Sequence, residues 1–181
     1  MDSLRGKLLI ASPTLMDPNF RRTVVLIAAH DEDGALGLVL NRPSDLLVAD
    51  AVERLGPVCT EHERVFVGGP VEPGAVMVLA DFADPTLAAL LIDGDLGLPN
   101  IEASAEALGD GVRRARCFAG HSGWSPGQLD AELAEEAWIV EDLEPEDAWS
   151  EAGAELWSRV LERKGGEYAL VARMPVDPSV N

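Results

Sequence analysis

The chain has 181 residues, of which 47% are hydrophobic and 25% are charged, a composition that suits one domain with a packed core. Its 32 acidic residues outnumber 14 basic ones, so the formal net charge is −18. Because binding to nucleic-acid phosphates or to an anionic membrane depends on basic surfaces, this charge disfavours both kinds of partner. We expect a single domain over residues 1–173 and a short tail over residues 174–181.

The N-terminal segment and the cysteines indicate the cellular compartment. The opening MDSLRGKLLIASPTL contains too short an apolar run for a secretory signal, and no later run has the length of a membrane span. Cys59 and Cys117 lie far apart in the sequence and form no C-x-x-C motif. These features predict a reduced, cytoplasmic protein.

The first predicted elements form a β-hairpin. Apolar and β-branched runs predict strands over residues 6–12, 22–30 and 35–41, and the second run is long enough for a strand buried on both faces. Asp31–Gly34 supplies the turn. With this turn, His30 faces Ala35 and Arg42 lies beside Thr23.

The rest of the chain alternates between short strands and helices. We predict a helix at 48–56, then strands at 64–71 and 75–82 around a turn that contains Gly74. Residues 84–92 fit either a helix or a strand, and residues 93–100 fit a loop. The remaining predictions are a helix at 101–111, a strand at 112–120, a helix at 125–137, a strand at 138–141, a helix at 145–166 and a strand at 167–175. Because antiparallel strands come first and helices later, this order indicates an α+β fold.

The stretch CFAGHSGWSPGQLDAEL contains most of a catalytic motif. Its residues Gly120–Gly123 match the start of G-x-S-x-G, the turn that presents a nucleophilic serine in α/β-hydrolases. The hydrolase turn needs glycine two residues after the serine, where this chain has Trp124. No histidine follows Ser122 to complete the usual order of catalytic residues. We therefore interpret the motif as structural.

The same stretch carries the signals of a helix N-terminus. Ser125 is a good N-cap residue and Pro126 suits a first helical turn. Gln128 stands three residues after Ser125, so the pair predicts a capping box in which the Gln128 side chain reaches back to the Ser125 N–H. Glu132 follows one turn later on the same helix face. The glycines before this helix could also expose N–H groups to an anion.

Other polar motifs give no metal or cofactor site. Cys59 and His62 have usable spacing for a metal, but no second pair of ligands accompanies them. His30 and Asp31 fit a turn better than a catalytic dyad. Gly68–Pro70 lacks the pattern of a nucleotide phosphate loop. We expect no metal and no cofactor.

An arginine cluster is the best candidate for binding. The predicted hairpin brings Arg21, Arg22, Asn41 and Arg42 together at its open end, near the loop 17–20. One interpretation is ion pairing, for which Asp17 and Glu72 are available. The other is a pocket for a small anion or a carboxylate tail, formed by the arginines and the Asn41 amide.

Several motifs together resemble the YqgE/AlgH family of bacterial proteins. They are LRGKLLIASPTLMDPNFRRTVVLIAAHDEDGALGLVLNRP, VFVGGPV, and GHSGWSPGQLDAEL with the following Trp138, in that order, and the similarity runs from Leu4 to roughly Arg173. One departure is His121, where the family more often has tyrosine. The resemblance implies a mixed, mainly antiparallel sheet curled toward a partial barrel with helices packed outside, in a cytoplasmic protein. It implies no catalytic residues. Some members are described as transcriptional regulators, but the charge of this chain disfavours contact with DNA.

These observations favour a non-enzymatic binding or regulatory protein for a small anionic ligand or a protein partner. The candidate surface comprises Asp17, Asn19, Arg21, Arg22, Asn41, Arg42, Gly69, Gly123, Trp124 and Gln128. The alternative is an enzyme, such as a hydrolase, that uses His121 or His30 with a carboxylate. A structural role within a complex is a third hypothesis, and the oligomeric state stays open.

Overall fold

The chain folds into one curled β-sheet with helices packed on its faces. A computed structural model describes residues 2–51, 59, 63–100 and 102–175. Within them the strands are β1 (Lys7–Ala11), β2 (Val24–Asp31), β3 (Gly34–Val39), β4 (Pro43–Leu47), β5 (Arg64–Val67), β6 (Val71–Phe82), β7 (Ala88–Asp93), β8 (Leu96–Pro99), β9 (Val112–Trp124) and β10 (Trp138–Asp142). The helices are α1 (Val48–Ala51), α2 (Ala105–Gly111), α3 (Gln128–Ala134), α4 (Glu155–Lys164) and α5 (Tyr168–Val171). No helix in this part of the chain is long and apolar enough to cross a membrane.

The sheet is mixed but mainly antiparallel. Its strand order is β10-β1-β2-β3-β9-β6-β8-β7, and each neighbour in this order is antiparallel. In addition β5 runs parallel to β9, and β4 pairs with β5. The long strand β9 pairs with β6 on one side and with β5 and then β3 on the other, and the sheet curls into a half-barrel. The predicted α+β fold is confirmed.

Strands β1 and β2 are buried on both faces, as the long apolar run of β2 predicted for that strand. Because side chains alternate along a strand, Leu26 faces one core and Val25 the opposite core. Helix α4 covers the first core, where Trp157 is fully buried and donates its indole N–H to the Ala11 carbonyl at 2.8 Å. Helix α3 covers the second core through Leu129.

The hairpin forms as predicted at its turn, but its register shifts by one residue toward the open end. His30 pairs with Ala35, which confirms the turn at Asp31–Gly34. A β-bulge between Ile27 and Ala29 then adds a residue to β2, so Val25 pairs with Val39. The prediction that Arg42 lies beside Thr23 was therefore wrong, because an uninterrupted ladder was assumed. The bulge moves Asn41 to the position that Arg42 was expected to occupy.

Strand β9 is longer than the predicted strand at 112–120, and helix α3 begins later than the predicted start at Ser125. Residues 120–124 continue the strand, and helix α3 begins only at Gln128, after Gly127 in a left-handed conformation. The extension is possible because glycines in the neighbouring segments let their backbone lie close to that of β9. A Cβ atom at Gly34 would lie 2.2 Å from the Trp124 carbonyl oxygen.

Three other predictions in the middle of the chain change. Gly74 lies inside β6 and not at a turn, since β5 and β6 each pair with β9 instead of each other. The ambiguous segment 84–92 becomes a short 3-10 turn followed by strand β7. Residues 93–100 are no loop, because Gly94 takes a positive φ and joins β7 to β8 in a tight hairpin.

The C-terminal predictions change as well. The helix predicted at 145–166 divides into a 3-10 turn at Asp147–Trp149 and helix α4, with Gly153 in a left-handed conformation between them. Residues 168–171 form α5 and no strand, because Tyr168, Val171 and Ala172 reach the core at helical spacing. In the helix predicted at 48–56, α1 covers 48–51, and residues 52–56 lie outside the described part.

Candidate functional site

The loop between β1 and β2 carries four residues of the candidate surface, and Asp17 organises it. The Asp17 carbonyl oxygen accepts hydrogen bonds from the N–H groups of Phe20 at 3.0 Å and Arg21 at 2.7 Å. Its carboxylate accepts the N–H of Asn19 at 2.8 Å, an arrangement typical of an Asx turn. Asp17 therefore shapes the loop, while Asn19 is exposed at its tip.

The Asn41 amide lies in the interior, and both its oxygen and its nitrogen form hydrogen bonds with the main chain. Its side-chain oxygen accepts the Val24 N–H at 2.9 Å, and its NH₂ group donates to the Arg22 carbonyl at 2.9 Å. Asn41 is only 5% exposed. The prediction that this amide lines a ligand pocket was therefore wrong. Because of the bulge in β2, the Asn41 side chain instead forms hydrogen bonds with the backbone of the segment that it faces.

Arg42 and Arg22 hold main-chain carbonyls. Arg42 donates to the Arg21 carbonyl at 3.1 Å, and burial lowers the pKa of Arg42 although the Asp17 carboxylate acts in the opposite direction. Arg22 has a left-handed backbone with φ 55°, and its guanidinium lies 4.4 Å from the centre of the Trp157 ring. Neither arginine forms a salt bridge with a carboxylate in the described part of the chain.

Arg22 also ties the end of the described chain to the hairpin. Its Nη2 donates to the carbonyl of Met174, and to that of Pro175 at 2.7 Å. Burial, followed by the charge of Arg21, lowers the pKa of Arg22. Because the partners are neutral carbonyls, the positive charge of Arg22 is not neutralised by these two bonds.

A cavity of about 290 Å³ opens between this loop and residues 174–175. Its wall consists of Ser12, Pro13, Leu15, Met16, Arg21, Arg22, Met174 and Pro175. Two arginines thus share a cavity with mainly apolar side chains, and the Met16 side chain is largely exposed at its rim. We refer to this space as the arginine cavity.

Trp124 and Gln128 take part in a different network, centred on Glu132. One Glu132 oxygen accepts the indole N–H groups of Trp124 at 2.9 Å and Trp138 at 2.7 Å. The other accepts from Gln128 at 2.9 Å, while Gln128 in turn accepts the Ser125 N–H at 3.0 Å, as predicted. The predicted N-cap role of Ser125 was wrong, because α3 begins later and Gly127 is its N-cap, without a side-chain cap. Trp124 is buried, so its main role is to attach helix α3 to the sheet.

Phe20 connects this network to the arginine loop. Its ring stacks on Trp124 at a centroid distance of 6.2 Å and meets Trp138 edge-on at 5.6 Å. The two parts of the candidate surface therefore adjoin through an aromatic cluster. None of the three rings lines the arginine cavity.

Gly69 allows two neighbouring segments to approach closely, whereas Gly123 does not need to be small. A Cβ atom at Gly69 would lie 2.3 Å from the carbonyl oxygen of His121, so any larger residue would separate the segment before β6 from β9. Gly123 is exposed, and a Cβ atom there would meet the Val71 side chain at 3.5 Å. The close contact therefore explains Gly69, whereas 3.5 Å is an ordinary van der Waals distance and the structure gives no reason for a glycine at position 123.

The sequence of residues 8–169 matches the pattern of a protein family described as AlgH-like. The chain belongs to the AlgH-like family. It is similar to a UPF0301 protein of Streptomyces coelicolor, with 45% identity over 100% of this chain and 97% of the relative. A UPF0301 protein of Mycolicibacterium smegmatis is 36% identical over 97% of this chain and 90% of the relative.

Solved structures of similar proteins support the AlgH-like fold. The solution structure of the AlgH protein from Pseudomonas aeruginosa is 30% identical, with a TM-score of 0.71 over 97% of this chain and 96% of that one. A crystal structure of a Corynebacterium diphtheriae protein is 27% identical, with a TM-score of 0.85 over 96% of this chain and 93% of that one. The resemblance inferred from the motifs is confirmed.

Among the described residues of this AlgH-like chain, His30 and His121 form no hydrogen bond with a carboxylate or with Ser122. Ser122 is completely buried and donates to the Gly68 carbonyl at 3.1 Å, so it is not presented as a nucleophile. His121 precedes it on strand β9 and therefore points to the opposite face. His30 uses Nδ1 to accept the Leu4 N–H at 3.1 Å.

Two further hollows lie elsewhere on the described part of the protein. One, of about 440 Å³ near the hairpin turn, is lined by Asp2, Ser3, His30, Asp31, Glu32, Gly127 and Asp130. No group of three or more potential metal ligands converges anywhere among the described residues, and His62 lies outside them. The other, of about 400 Å³, contains arginines of β9 that pair with carboxylates, such as Arg114 with Glu146 at 3.4 Å.

Proposed function

We propose that this AlgH-like protein binds a small amphiphilic anion, such as a short-chain carboxylate, in the arginine cavity. The observation that carries the proposal is the meeting of Arg21 and Arg22 with the apolar side chains of Leu15 and Met16 around about 290 Å³. This volume lies at the lower end of small-molecule sites, which are mainly apolar with a few polar groups that orient the ligand. The ligand would place its charged group at the arginines and its chain against Leu15 and Met16.

The net charge of −18 does not prevent anion binding at this place. At physiological ionic strength, exposed charges further than about 8 Å from the ligand are largely screened. The nearest cations therefore decide the local attraction, and the acidic surface mainly slows the approach of an anion. Selectivity should favour ligands with a single charge and an apolar chain over highly charged phosphates.

Arg22 provides a mechanism by which binding could be transmitted. Its guanidinium now donates to the neutral carbonyls of Met174 and Pro175. A carboxylate is a stronger acceptor than a carbonyl for a charged donor. An anion that reaches Arg22 would compete with these carbonyls and release residues 174–175 from the hairpin. Ligand binding would then change the position of these two residues.

Thermal shift and calorimetry with sodium hexanoate test the proposal. We expect hexanoate at ten times its Kd to raise Tm by roughly 3–5 °C by mass action. Acetate has the charge without the chain, and 1-hexanol has the chain without the charge, so both should bind more weakly. A peptide with a free C-terminal carboxylate, compared with its amide, tests whether a protein tail occupies the same cavity.

Two substitutions separate the charge from the apolar wall. Arg21→Gln should weaken hexanoate binding about tenfold or more, since hydrogen bonds to charged groups contribute about 1.5–3 kcal/mol. Met16→Gln should weaken hexanoate more than acetate. Arg159→Gln is the matched control, because Arg159 is exposed on α4 and its ion-pair partner among the described residues is Glu155. Unchanged hexanoate binding in Arg21→Gln, or no binding by the unaltered protein, would contradict the proposal.

We also propose a cytoplasmic location. It is supported by the acidic composition and by Cys59 and Cys117, which are thiols and not a disulfide. Fractionation of cells that express the protein at its natural level tests the location. Recovery in the membrane or secreted fraction would contradict it.

A further inference from the structure

Cys59 and Cys117 are remote in sequence but adjacent in space. Cys117 lies in β9, and Cys59 precedes β5 by a few residues. Their sulfur atoms are 2.9 Å apart, and both thiols are buried in one apolar cluster. No property of the sequence, in which 58 positions separate the two residues, indicated this contact.

We propose that Cys59 and Cys117 form an oxidisable dithiol that closes to an intramolecular disulfide under a two-electron oxidant such as hydrogen peroxide. In the first step one thiol loses its proton and the thiolate attacks peroxide, which gives a sulfenic acid and hydroxide, and the hydroxide takes up that proton to form water. In the second step the other thiol attacks that sulfur, which forms the S–S bond and releases a second water. Two thiols and one peroxide thus yield one disulfide and two waters.

The geometry favours this product over the alternatives. A disulfide has sulfur atoms about 2.05 Å apart, so the two sulfurs need to approach by less than about 1 Å. The apolar neighbours, which include Val65, Phe82 and Leu108, separate the pair from other protein molecules. Once one sulfur is oxidised, the second thiol is the nearest nucleophile, and a bond within the chain forms before further oxidation.

The surroundings of Cys59 keep the pair reduced until the oxidant is abundant. The hydrogen bond with Cys117 and, next, burial raise the pKa of the Cys59 thiol. Because the thiolate is the species that reacts with peroxide, little of it exists near neutral pH and the reaction is slow. Such a pair would respond to sustained oxidative stress and not to ordinary fluctuations.

Mass spectrometry of the full chain tests the proposal. The reduced protein is treated with excess peroxide, unfolded in guanidinium with N-ethylmaleimide, and digested with trypsin. Cleavage after Arg54, Arg64, Arg116 and Arg159 places Cys59 in peptide 55–64 and Cys117 in peptide 117–159. We expect the two peptides to be linked, with a mass lower by two hydrogen atoms, and to separate after reduction with dithiothreitol.

The variants Cys59→Ala and Cys117→Ala are matched controls, since each removes one sulfur from the pair. Their remaining cysteine should stay accessible to N-ethylmaleimide after unfolding at oxidant concentrations that cross-link the unaltered protein. If both cysteines of the unaltered protein are alkylated after treatment, or if the disulfide links two chains, the proposal is wrong. Sulfinic acid as the main product would also overturn it.

A stability measurement provides an independent readout. Diamide is used here because it oxidises thiols but leaves the exposed Met16 and Met174 intact. A cross-link between β9 and the segment before β5 should raise Tm by about 5–10 °C, reversibly with dithiothreitol, because it restricts the unfolded chain. A lower Tm in the cross-linked protein would show that bond formation distorts the core. That result would contradict the proposal that the two sulfur atoms are already placed to form the bond.

Discussion

At the scale of single residues, Glu132 is the acceptor that unites the motif between Trp124 and Trp138. Two indole N–H groups and the Gln128 amide converge on its carboxylate. Trp124 and Trp138 are buried, and their N–H groups would be costly to leave without an acceptor. The residues that identify the family in this stretch are therefore explained first by the attachment of helix α3.

We predict that Glu132→Gln lowers the free energy of unfolding by about 1–3 kcal/mol, because a neutral amide replaces a charged acceptor of two indole hydrogen bonds. Urea denaturation followed by tryptophan fluorescence measures the change. Glu135→Gln, at an exposed position one residue after α3, is the control and should stay within about 0.5 kcal/mol. Equal effects of the two substitutions would show that the network adds no specific stability.

Sequence patterns predicted residue roles well where the partner is close in the chain. Gln128 reaches the Ser125 N–H as expected, three residues away. The burial of Asn41 was missed, since it follows from a bulge on the opposite strand. The acceptor role of Glu132 was missed too, although a glutamate between two tryptophans is a signal that could have indicated it.

At the scale of elements, Lys164 and Glu141 attach helix α4 to the edge strand β10. Lys164 donates to Glu141 at 3.0 Å and to the Val140 carbonyl at 2.9 Å. Burial by itself would raise the pKa of Glu141, but the hydrogen bond and charge of Lys164, with Arg163, lower it overall. The contact thus covers one edge of the sheet and couples its stability to pH.

We predict that Lys164→Met destabilises the protein in a pH-dependent manner. Because the pKa of Glu141 in the folded chain is below its ordinary value of 4.5, the carboxylate stabilises the fold above that pH. The contribution is lost as the pH falls through the lower folded value. The difference in the free energy of unfolding between the protein and the variant should therefore be largest near neutral pH and shrink in acid.

Urea denaturation at several pH values between about 3.5 and 7 measures this difference. Lys7→Met removes the other lysine, whose pair with Asp142 is exposed, and should change the stability by no more than about 1 kcal/mol. If the effect of Lys164→Met is the same at every pH, the Val140 hydrogen bond and not Glu141 accounts for it.

Element boundaries show which local signals outweigh others. Strands β1 to β3 were predicted well because continuous apolar runs and an acidic turn specify them locally. Strand β9 extends through residues 120–124 because glycines in two neighbouring segments let its backbone lie close to them. The end of this strand therefore depends on three segments of the chain and not on its own residues alone. Helix α5 was mistaken for a strand, since a run of a few apolar residues fits either periodicity.

At the scale of the whole molecule, the acidic charge acts against the packed fold. A formal net charge of −18 on 181 residues produces repulsion that folding concentrates into a smaller volume. Salt bridges such as Arg113–Asp81 offset this repulsion locally, between the two charges of each pair. The side chains of this pair are partly exposed to solvent, and such pairs contribute little.

We predict that sodium chloride raises Tm as its concentration increases from about 0.01 to 0.3 M, because the Debye length falls from about 30 Å to less than 8 Å. Differential scanning calorimetry at constant pH measures the change. Potassium chloride should act equally, since the effect depends on ionic strength. A decrease in Tm would instead show that the salt bridges outweigh the net repulsion.

The sequence by itself determined the family, the strand-rich first half and the hairpin turn at Asp31–Gly34, because these depend on neighbours within a few residues. Only the tertiary structure decided that Asn41 is enclosed, that Arg22 holds the carbonyls of residues 174–175, and that Cys59 meets Cys117. Each of these contacts joins parts of the chain that a strand register or a sheet curvature brings together. Register and curvature result from many weak interactions across the sheet, so a short stretch of sequence does not predict them.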